Sequence, residues 1–528
     1  MLRRLSWLSR IALVGRLMGV LMVGLAVTML PCAYLAHLDD GPDLSGHLMA
    51  SLVSLMTGLM LFVATYRNSK GTHVGHREAF LIVGIGWITV TIIGALPFYF
   101  YAHLSPDLIC HMQALGDVRL PVGADFCSFG HSVFESTSGF TTTGATIITD
   151  GLWIEPGLTT NQREGLPRGI LLWRSLTHFL GGMGIIVLGV AVLPLLGVGG
   201  MQLFKAEVPG PTTDKLVPRV GETSKLLWKV YLTISLVLLV FLLVGGMNTF
   251  EAICHTMSTM GTGGFSTRHE SVGGFGNPYF EWVIAVFMVI AGTNFTLHFF
   301  ALTGRFKRYW FDVEFRVYVG IVVVSTALVS WSLVYSGLEP DIWVAFRDAA
   351  FQVASIMTGT GFASADFELW GQAPVALVVV VGLAFVGGMA GSTTGGVKVV
   401  RHILLVRIWL REIFLLSHPH AVRPIRLGKR LVSDDIIRSV IAFIGAYFAT
   451  FVLGTLYFCL AGHDLVTAFS ATASTLGNVG PGLGEVGPFD NYATLSSLSK
   501  WVCCILMILG RLELFTLLIL VSPAFWRR

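Results

Sequence analysis

The chain has 528 residues, of which 54% are hydrophobic and only 12% charged, and its mean hydropathy is +0.73. Soluble domains carry roughly 25% charged residues, and apolar runs long enough to cross a bilayer recur from end to end, which excludes a soluble enzyme or a soluble domain on a single anchor. The formal net charge of +4 marks no nucleic-acid partner; the placement of the charges says more than their sum.

Ten spanning helices are predicted in chain order, over residues 11–36, 45–66, 78–103, 169–197, 226–248, 279–303, 315–336, 373–405, 436–461 and 499–522. Basic residues precede the first, as in a signal peptide, but no small-residue cleavage site follows, so it is read as a retained helix. The segments 1–16, 66–78, 205–229, 305–316, 398–438 and 527–528 hold 4, 3, 5, 4, 9 and 2 basic residues, 27 of the 35 Lys and Arg. With ten spans all six segments share one side, which the positive-inside rule makes cytoplasmic together with both termini. The opposite side holds Asp39, Asp40, Asp43, Asp107, Asp117 and Asp125. The seven cysteines show no metal spacing. Five read as buried membrane residues, while Cys110 and Cys127 share one outer loop, with pairing and the reduced state both open.

Between helix pairs lie four apolar segments too short to span, 126–141, 249–261, 343–358 and 464–476, which are candidates for re-entrant helices on the outer side. Each runs into a turn: Thr142-Thr143-Gly144-Ala145, Thr262-Gly263-Gly264-Phe265, Gly359-Thr360-Gly361-Phe362 and Asn478-Val479-Gly480-Pro481. The unit of helix, short helix, glycine turn and helix thus occurs four times after an initial pair, 11–66, and argues for four quarters around one axis. The corresponding segments are 1–70 for the pair, then 71–204, 205–310, 311–420 and 421–528. Four such turns suit a pore lined by backbone carbonyls, which replace the water that an alkali cation sheds. Turning successive carbonyls inward requires unusual φ values that glycine adopts at little cost. The C-terminal ends of the short helices add negative dipole ends that favour a cation.

The eighth span is interrupted by Gly387-Gly388-Met389-Ala390-Gly391-Ser392-Thr393-Thr394-Gly395-Gly396. No helix continues easily through such a run, and irregular backbone at membrane depth survives only inside protein or beside a water-filled cavity. The run is expected below the turns, as a flexible plug that gates the pore. It is not a phosphate-binding loop, because Val397 rather than lysine follows Gly396. Arg511 and Glu513 lie within the last span, where ionisable groups are costly and face a cavity or a partner. Arg511 is expected to oppose cation passage, to anchor the 387–396 run through its carbonyls, or to pair with a carboxylate. Asn294 and His298 in the sixth span read as interhelical hydrogen-bonding residues.

The ordered set of motifs resembles the Trk/Ktr/HKT superfamily of potassium transporters over nearly the whole chain. It comprises Ser138-Gly139-Phe140-Thr141-Thr142-Thr143-Gly144-Ala145, then Gly181-Gly182-Met183-Gly184-Ile185-Ile186-Val187-Leu188 and Leu196-Gly197-Val198-Gly199-Gly200-Met201-Gln202-Leu203. Ser258-Thr259 with Thr262-Gly263-Gly264-Phe265-Ser266-Thr267 follows, and Gly477-Asn478-Val479-Gly480-Pro481-Gly482-Leu483-Gly484 completes it. The resemblance implies an all-α polytopic membrane protein with four M1–P–M2 repeats around one pore plus an N-terminal helix pair. It implies potassium as the transported ion, with no organic cofactor, in a bacterial inner membrane. The filter residues it implies are Thr142, Thr143, Gly144, Thr262, Gly263, Gly264, Gly359, Thr360, Gly361, Asn478, Val479 and Gly480. The gate it implies comprises Gly387, Gly388, Gly391, Ser392, Thr393, Thr394, Gly395, Gly396 and Arg511. It further implies a homodimer on a cytosolic TrkA-like nucleotide-binding ring, with the basic segments 205–229 and 398–438 available to it. Met260-Gly261 and Leu476-Gly477, just before the second and fourth turns, depart from the commoner wording. Three other readings are weaker: a sodium- or proton-coupled symporter, for which only Glu513 stands out as a buried carboxylate; a membrane enzyme, for which no clustered His/Glu/Asp site is found; and a scaffold with a vestigial pore.

Overall fold

The computed structural model describes residues 2–69, 76–106, 109–110, 123–149, 165–191, 220–428 and 430–526. The predicted end of the fourth span at 192–197, the motif at 196–203, the basic run 205–219, Asp107 and Asp117 lie outside them. The N-terminal pair is α1 (Leu2–Leu38) and α2 (Leu44–Ser69). The first repeat follows with α3 (His76–Gly94) and α4 (Leu96–Leu104), the short α5 (Phe129–Phe140) and α6 (Arg168–Ala191). The second holds α7 (Val220–Val244), the short α8 (Thr249–Gly261), α9 (Pro278–Ala291) and α10 (Phe295–Leu302). The third holds α11 (Val313–Tyr335), the short α12 (Ile342–Met357), α13 (Pro374–Leu383) and α14 (Val399–Ser417). The fourth holds α15 (Asp434–Leu460), the short α16 (Leu465–Gly477), α17 (Ser497–Arg511) and α18 (Phe515–Val521). A two-residue hairpin, Arg426–Leu427 against Arg430–Leu431, is the β structure among the described residues.

The four short helices fall where hydrophobicity placed them, and three begin on an Asx cap. Asn248 accepts from Phe250 N, Asp341 from Trp343 N, and Asp464 from Val466 N and Thr467 N. Among the described residues, six helices are long and apolar enough to cross a membrane unaided, and two bent pairs bring the number to eight. The predicted sixth and tenth spans, 279–303 and 499–522, are these two bent pairs. Helices α9 and α10 meet at 102°, and α17 and α18 at 116°. Asn294 explains the first, because its side chain caps α10 by accepting from Thr296 N. The role expected for Asn294 between helices is therefore a capping role within its own broken span. At the second bend Glu513 and Leu514 take φ of 56° and 53°, a left-handed conformation that costs non-glycine residues of order 1–3 kcal/mol each. Cys110 and Cys127 are disulfide-bonded. Of the five free thiols, Cys459 is half-buried and the others are buried.

The N-terminal pair crosses at Gly19 and Gly58, where a Cβ on Gly58 would lie 2.9 Å from the Gly19 carbonyl. The end where α1 turns into α2 docks on the first repeat through Gly46 against the Tyr101 backbone and through Arg168 NH1 to Asp39 Oδ1 at 3.0 Å. A branched side chain at the crossing overpacks it: Gly58→Val is expected to destabilise the protein by about 1–3 kcal/mol. A thermal-unfolding midpoint in detergent equal to that of the parent would refute the close crossing.

Candidate functional site

The four glycine turns share one backbone geometry. In each, the residue before the glycine donates its N–H to the carbonyl of a serine in the preceding short helix. The pairs are Thr143 to Ser138, Gly263 to Ser258, Thr360 to Ser355 and Val479 to Ser474, all at 2.9 Å. Two left-handed residues flank that bond. The first is Thr142, Thr262, Gly359 or Asn478, with φ of 53°, 55°, 64° and 54°; the second is Gly144, Gly264, Gly361 or Gly480, with φ of 82°, 81°, 80° and 101°. Only the second position is glycine throughout, and neighbour contact explains why. A Cβ on Gly144 would overlap the Gly263 carbonyl, one on Gly264 that of Thr360, one on Gly361 that of Val479, and one on Gly480 would lie 2.6 Å from that of Thr143. Each turn therefore leans on the next in chain order, and the fourth closes on the first. All four glycines line one cavity together with Arg174, Arg268, Asp490 and Tyr492.

Side chains tie this ring to its surroundings. Asn478 Nδ2 donates to Thr143 Oγ1 at 3.0 Å and to the Met507 carbonyl at 2.8 Å, joining the fourth turn to the first. Tyr492 OH donates to the Gly480 carbonyl at 2.9 Å. Threonine pairs brace the first and third turns, Thr141 with Thr143 at 2.8 Å and Thr358 with Thr360 at 2.6 Å. In the second and fourth turns Gly261 and Gly477 stand in place of Thr141 and Thr358. A Cβ there would lie 2.5 Å from the His178 carbonyl and 2.9 Å from that of Ala384, so the departures at 261 and 477 follow from close helix approach. Ser138 and Ser258 figured in the sequence only as parts of longer motifs, and Ser355 and Ser474 not at all, although a serine six residues before each glycine was a readable signal.

Glu135 and Arg174 were also missed. Both are at most 1% exposed, with Arg174 Nε 2.7 Å from Glu135 Oε1. Glu135 also accepts from Thr146 Oγ1 at 3.0 Å and from Ile147 N at 3.1 Å. Arg174 reaches into the second repeat, donating to the Ser266 carbonyl at 3.3 Å and lying 4.0 Å over the Phe265 ring. Both charges are thus paired and hydrogen-bonded, as burial demands. The signal was the one that flagged Arg511: an ionisable residue in an apolar stretch.

The 387–396 run packs against the fourth turn. Cβ atoms on Gly395 and Gly396 would approach Asn478 and the Gly477 carbonyl. It is held by many hydrogen bonds rather than hanging free. Gly387 N donates to the Val397 carbonyl and Val399 N to that of Gly388, closing its neck at 2.9 and 3.1 Å. Glu314 Oε1 accepts from Ala390 N at 2.8 Å and from Val400 N at 3.1 Å. Lys398 Nζ donates to the Thr394 carbonyl and, at 2.8 Å, to Thr394 Oγ1. Ser392 Oγ meets Thr394 Oγ1 at 2.9 Å. The run also uses backbone groups freed where α9 breaks: Met389 N donates to the Gly292 carbonyl at 2.9 Å, Phe295 N to that of Gly391 at 3.1 Å, and Thr393 Oγ1 to that of Ala291 at 3.2 Å. Gly391 and Gly396 take φ of 77° and 66°, a conformation that favours glycine.

Arg511 is 2% exposed and takes the anchoring option among the three expected. It donates from NH1 to the Thr393 carbonyl at 2.7 Å and from NH2 to the Gly181 carbonyl at 3.2 Å, bridging the run to α6. The carboxylate pairing expected as an alternative belongs instead to Arg401, whose NH2 meets Glu513 Oε2. His298 bonds Tyr309 OH at 2.7 Å and the Ile290 carbonyl at 2.9 Å.

The profile of the TrkH family, described as a cation transport protein, matches residues 55–528. The Trk system potassium uptake protein TrkH of Salmonella typhimurium is 40% identical over 97% of this chain and 99% of its own length. The Trk system potassium uptake protein TrkG of Escherichia coli K12 is 33% identical over 98% and 99%. Among solved structures, the potassium transporter TrkH from Vibrio parahaemolyticus superposes with a TM-score of 0.83 at 36% identity, covering 98% of this chain and 100% of that one. That fold is the M1–P–M2 repeat, and this chain, a multi-pass helical membrane protein, belongs to the TrkH family of cation transport proteins.

Proposed function

We propose that this chain is the potassium-conducting membrane subunit of a Trk-type uptake system, with the ring of four turns as its selectivity filter. The observation that carries this reading is the cyclic seating of each carbonyl against the next turn's glycine, which sets four backbone segments around one axis with no room for side chains. A dehydrated potassium ion would be coordinated by the carbonyls of Thr142, Thr143 and Gly144, of Thr262, Gly263 and Gly264, of Gly359, Thr360 and Gly361, and of Asn478 and Val479. The Gly480 carbonyl already accepts from Tyr492 OH and Ser474 Oγ, so the fourth quarter contributes mainly through the two residues before it. The division at 1–70, 71–204, 205–310, 311–420 and 421–528 agrees with the helix order, since every short helix lies within its own segment.

Conduction on this reading is passive. One charge crossing 100 mV contributes about 2.3 kcal/mol, which accumulates potassium roughly fifty-fold. The segment Gly387, Gly388, Gly391, Ser392, Thr393, Thr394, Gly395 and Gly396, with Arg511, closes the path below the filter. The Arg511 guanidinium repels an arriving cation and holds the plug by its Thr393 carbonyl. A homodimer on a TrkA-like nucleotide-binding ring, an inner-membrane location and cytoplasmic termini complete the proposal. The clustering of bases in 305–316 and 398–438 supports that orientation.

Potassium and sodium fluxes in liposomes, with and without the cytosolic ring, test the whole reading, and no potassium flux in either condition would sink it. Gly264→Ser places a side chain against the Thr360 carbonyl and is expected to lower potassium-over-sodium selectivity by about tenfold; an unaltered ratio in a folded variant refutes the filter assignment. Arg511→Ala removes the charge-assisted bridge between the Thr393 carbonyl of the plug and the Gly181 carbonyl of α6 and is expected to raise basal flux by about tenfold. Basal flux at or below the parent level would count against the gate.

A further inference from the structure

The connection between α10 and α11 presents three aromatic rings to the outside. Phe306, Trp310 and Phe311 are 64%, 74% and 80% exposed. They alternate with Arg305 and Lys307, also exposed, and with Arg308, whose guanidinium lies 3.5 Å over the Phe300 ring. Arg316 is exposed one turn into α11, and exposed Arg426 lies in the nearby hairpin, where Gly428 packs beside Val313. The one carboxylate in this turn, Asp312, is engaged in capping α11 by accepting from Phe315 N at 2.7 Å.

We propose that this turn is a docking site for anionic phospholipid headgroups. Apolar helices flank it on both sides, which sets it at the boundary of the bilayer rather than out in solvent. Exposed Trp and Phe gain by entering the headgroup layer, whereas a soluble partner would leave them in water whenever it detached. The surplus of bases selects anionic over zwitterionic lipid. A route also leads inward. Tyr309 OH bonds His298, which bonds the Ile290 carbonyl at the end of α9, and Glu314, two residues past the cap, holds Ala390 N and Val400 N of the 387–396 run. Headgroup binding therefore steadies the closed run, a second claim that rests on the gating role proposed for it.

The full-length protein and Trp310→Phe are reconstituted in phosphatidylcholine vesicles with brominated chains either on phosphatidylcholine or on an equal fraction of phosphatidylglycerol. The fluorescence difference between the two proteins isolates Trp310. Quenching by brominated phosphatidylglycerol is expected to be about two-fold stronger or more, and Arg305→Gln with Lys307→Gln is expected to abolish the preference. Equal quenching by both lipids would reduce the turn to an ordinary aromatic belt and overturn the proposal. So would absence of quenching, which would mean that Trp310 does not meet lipid, as when a second copy covers it. Basal potassium efflux should rise severalfold in vesicles lacking phosphatidylglycerol. Unchanged efflux with intact lipid preference removes the coupling alone, and absence of efflux from every vesicle removes the transport reading without touching the quenching result.

Discussion

The seating of one turn's carbonyl where its neighbour's side chain would be is the constraint on which the rest of this protein depends. It requires a glycine in each quarter, a left-handed residue two positions earlier, and a short helix whose last turn presents a serine carbonyl to the intervening N–H. The short helices must therefore be buried and must end at one level. The long helices exist, in packing terms, to hold them there. The bond from Arg174 to the Ser266 carbonyl and the bond from Asn478 to Thr143 brace neighbouring quarters, which separate chains would need an interface to achieve.

Below the ring the four quarters stop resembling one another. The second long helix of a quarter breaks in the second, third and fourth repeats and runs through as α6 in the first, within the described residues. Each break frees backbone donors and acceptors at membrane depth, where water cannot satisfy them. The 387–396 run takes up those of α9, while Arg511 and Glu513, at the break of the last helix, reach the Thr393 carbonyl and Arg401. What reads in sequence as a flexible plug is thus a hydrogen-bonded layer. On the gating role proposed for it, opening would require replacing those bonds, which would give a regulatory partner something definite to act on.

Much of this was legible beforehand. Apolar runs of about twenty residues and short apolar runs before glycine announce spans and re-entrant helices, because the bilayer forces backbone groups to be satisfied locally. The glycines at 144, 264, 361 and 480 were readable because no other residue suits their φ and their contacts. The left-handed φ of Thr142 and Thr262 was not, since tertiary contacts impose it against the local preference of a β-branched residue. Nor were the bends after Ala291 and Arg511: the segment around Glu513 and Leu514 carries no Pro and no glycine at the bend itself, and its conformation follows from packing.

The sequence by itself determined the helical membrane architecture, the four-fold repetition and the place of the glycine turns, because hydrophobic length and glycine's φ range act on the chain locally. Only the tertiary structure decided that the turns close cyclically in chain order, that Arg511 grips the Thr393 carbonyl while Glu513 pairs with Arg401, and that Arg174, paired with Glu135, joins the first repeat to the second. Those outcomes depend on which groups meet far apart in the chain, and the cost of leaving a buried charge or amide unpaired selects the partner only after packing has brought the candidates together.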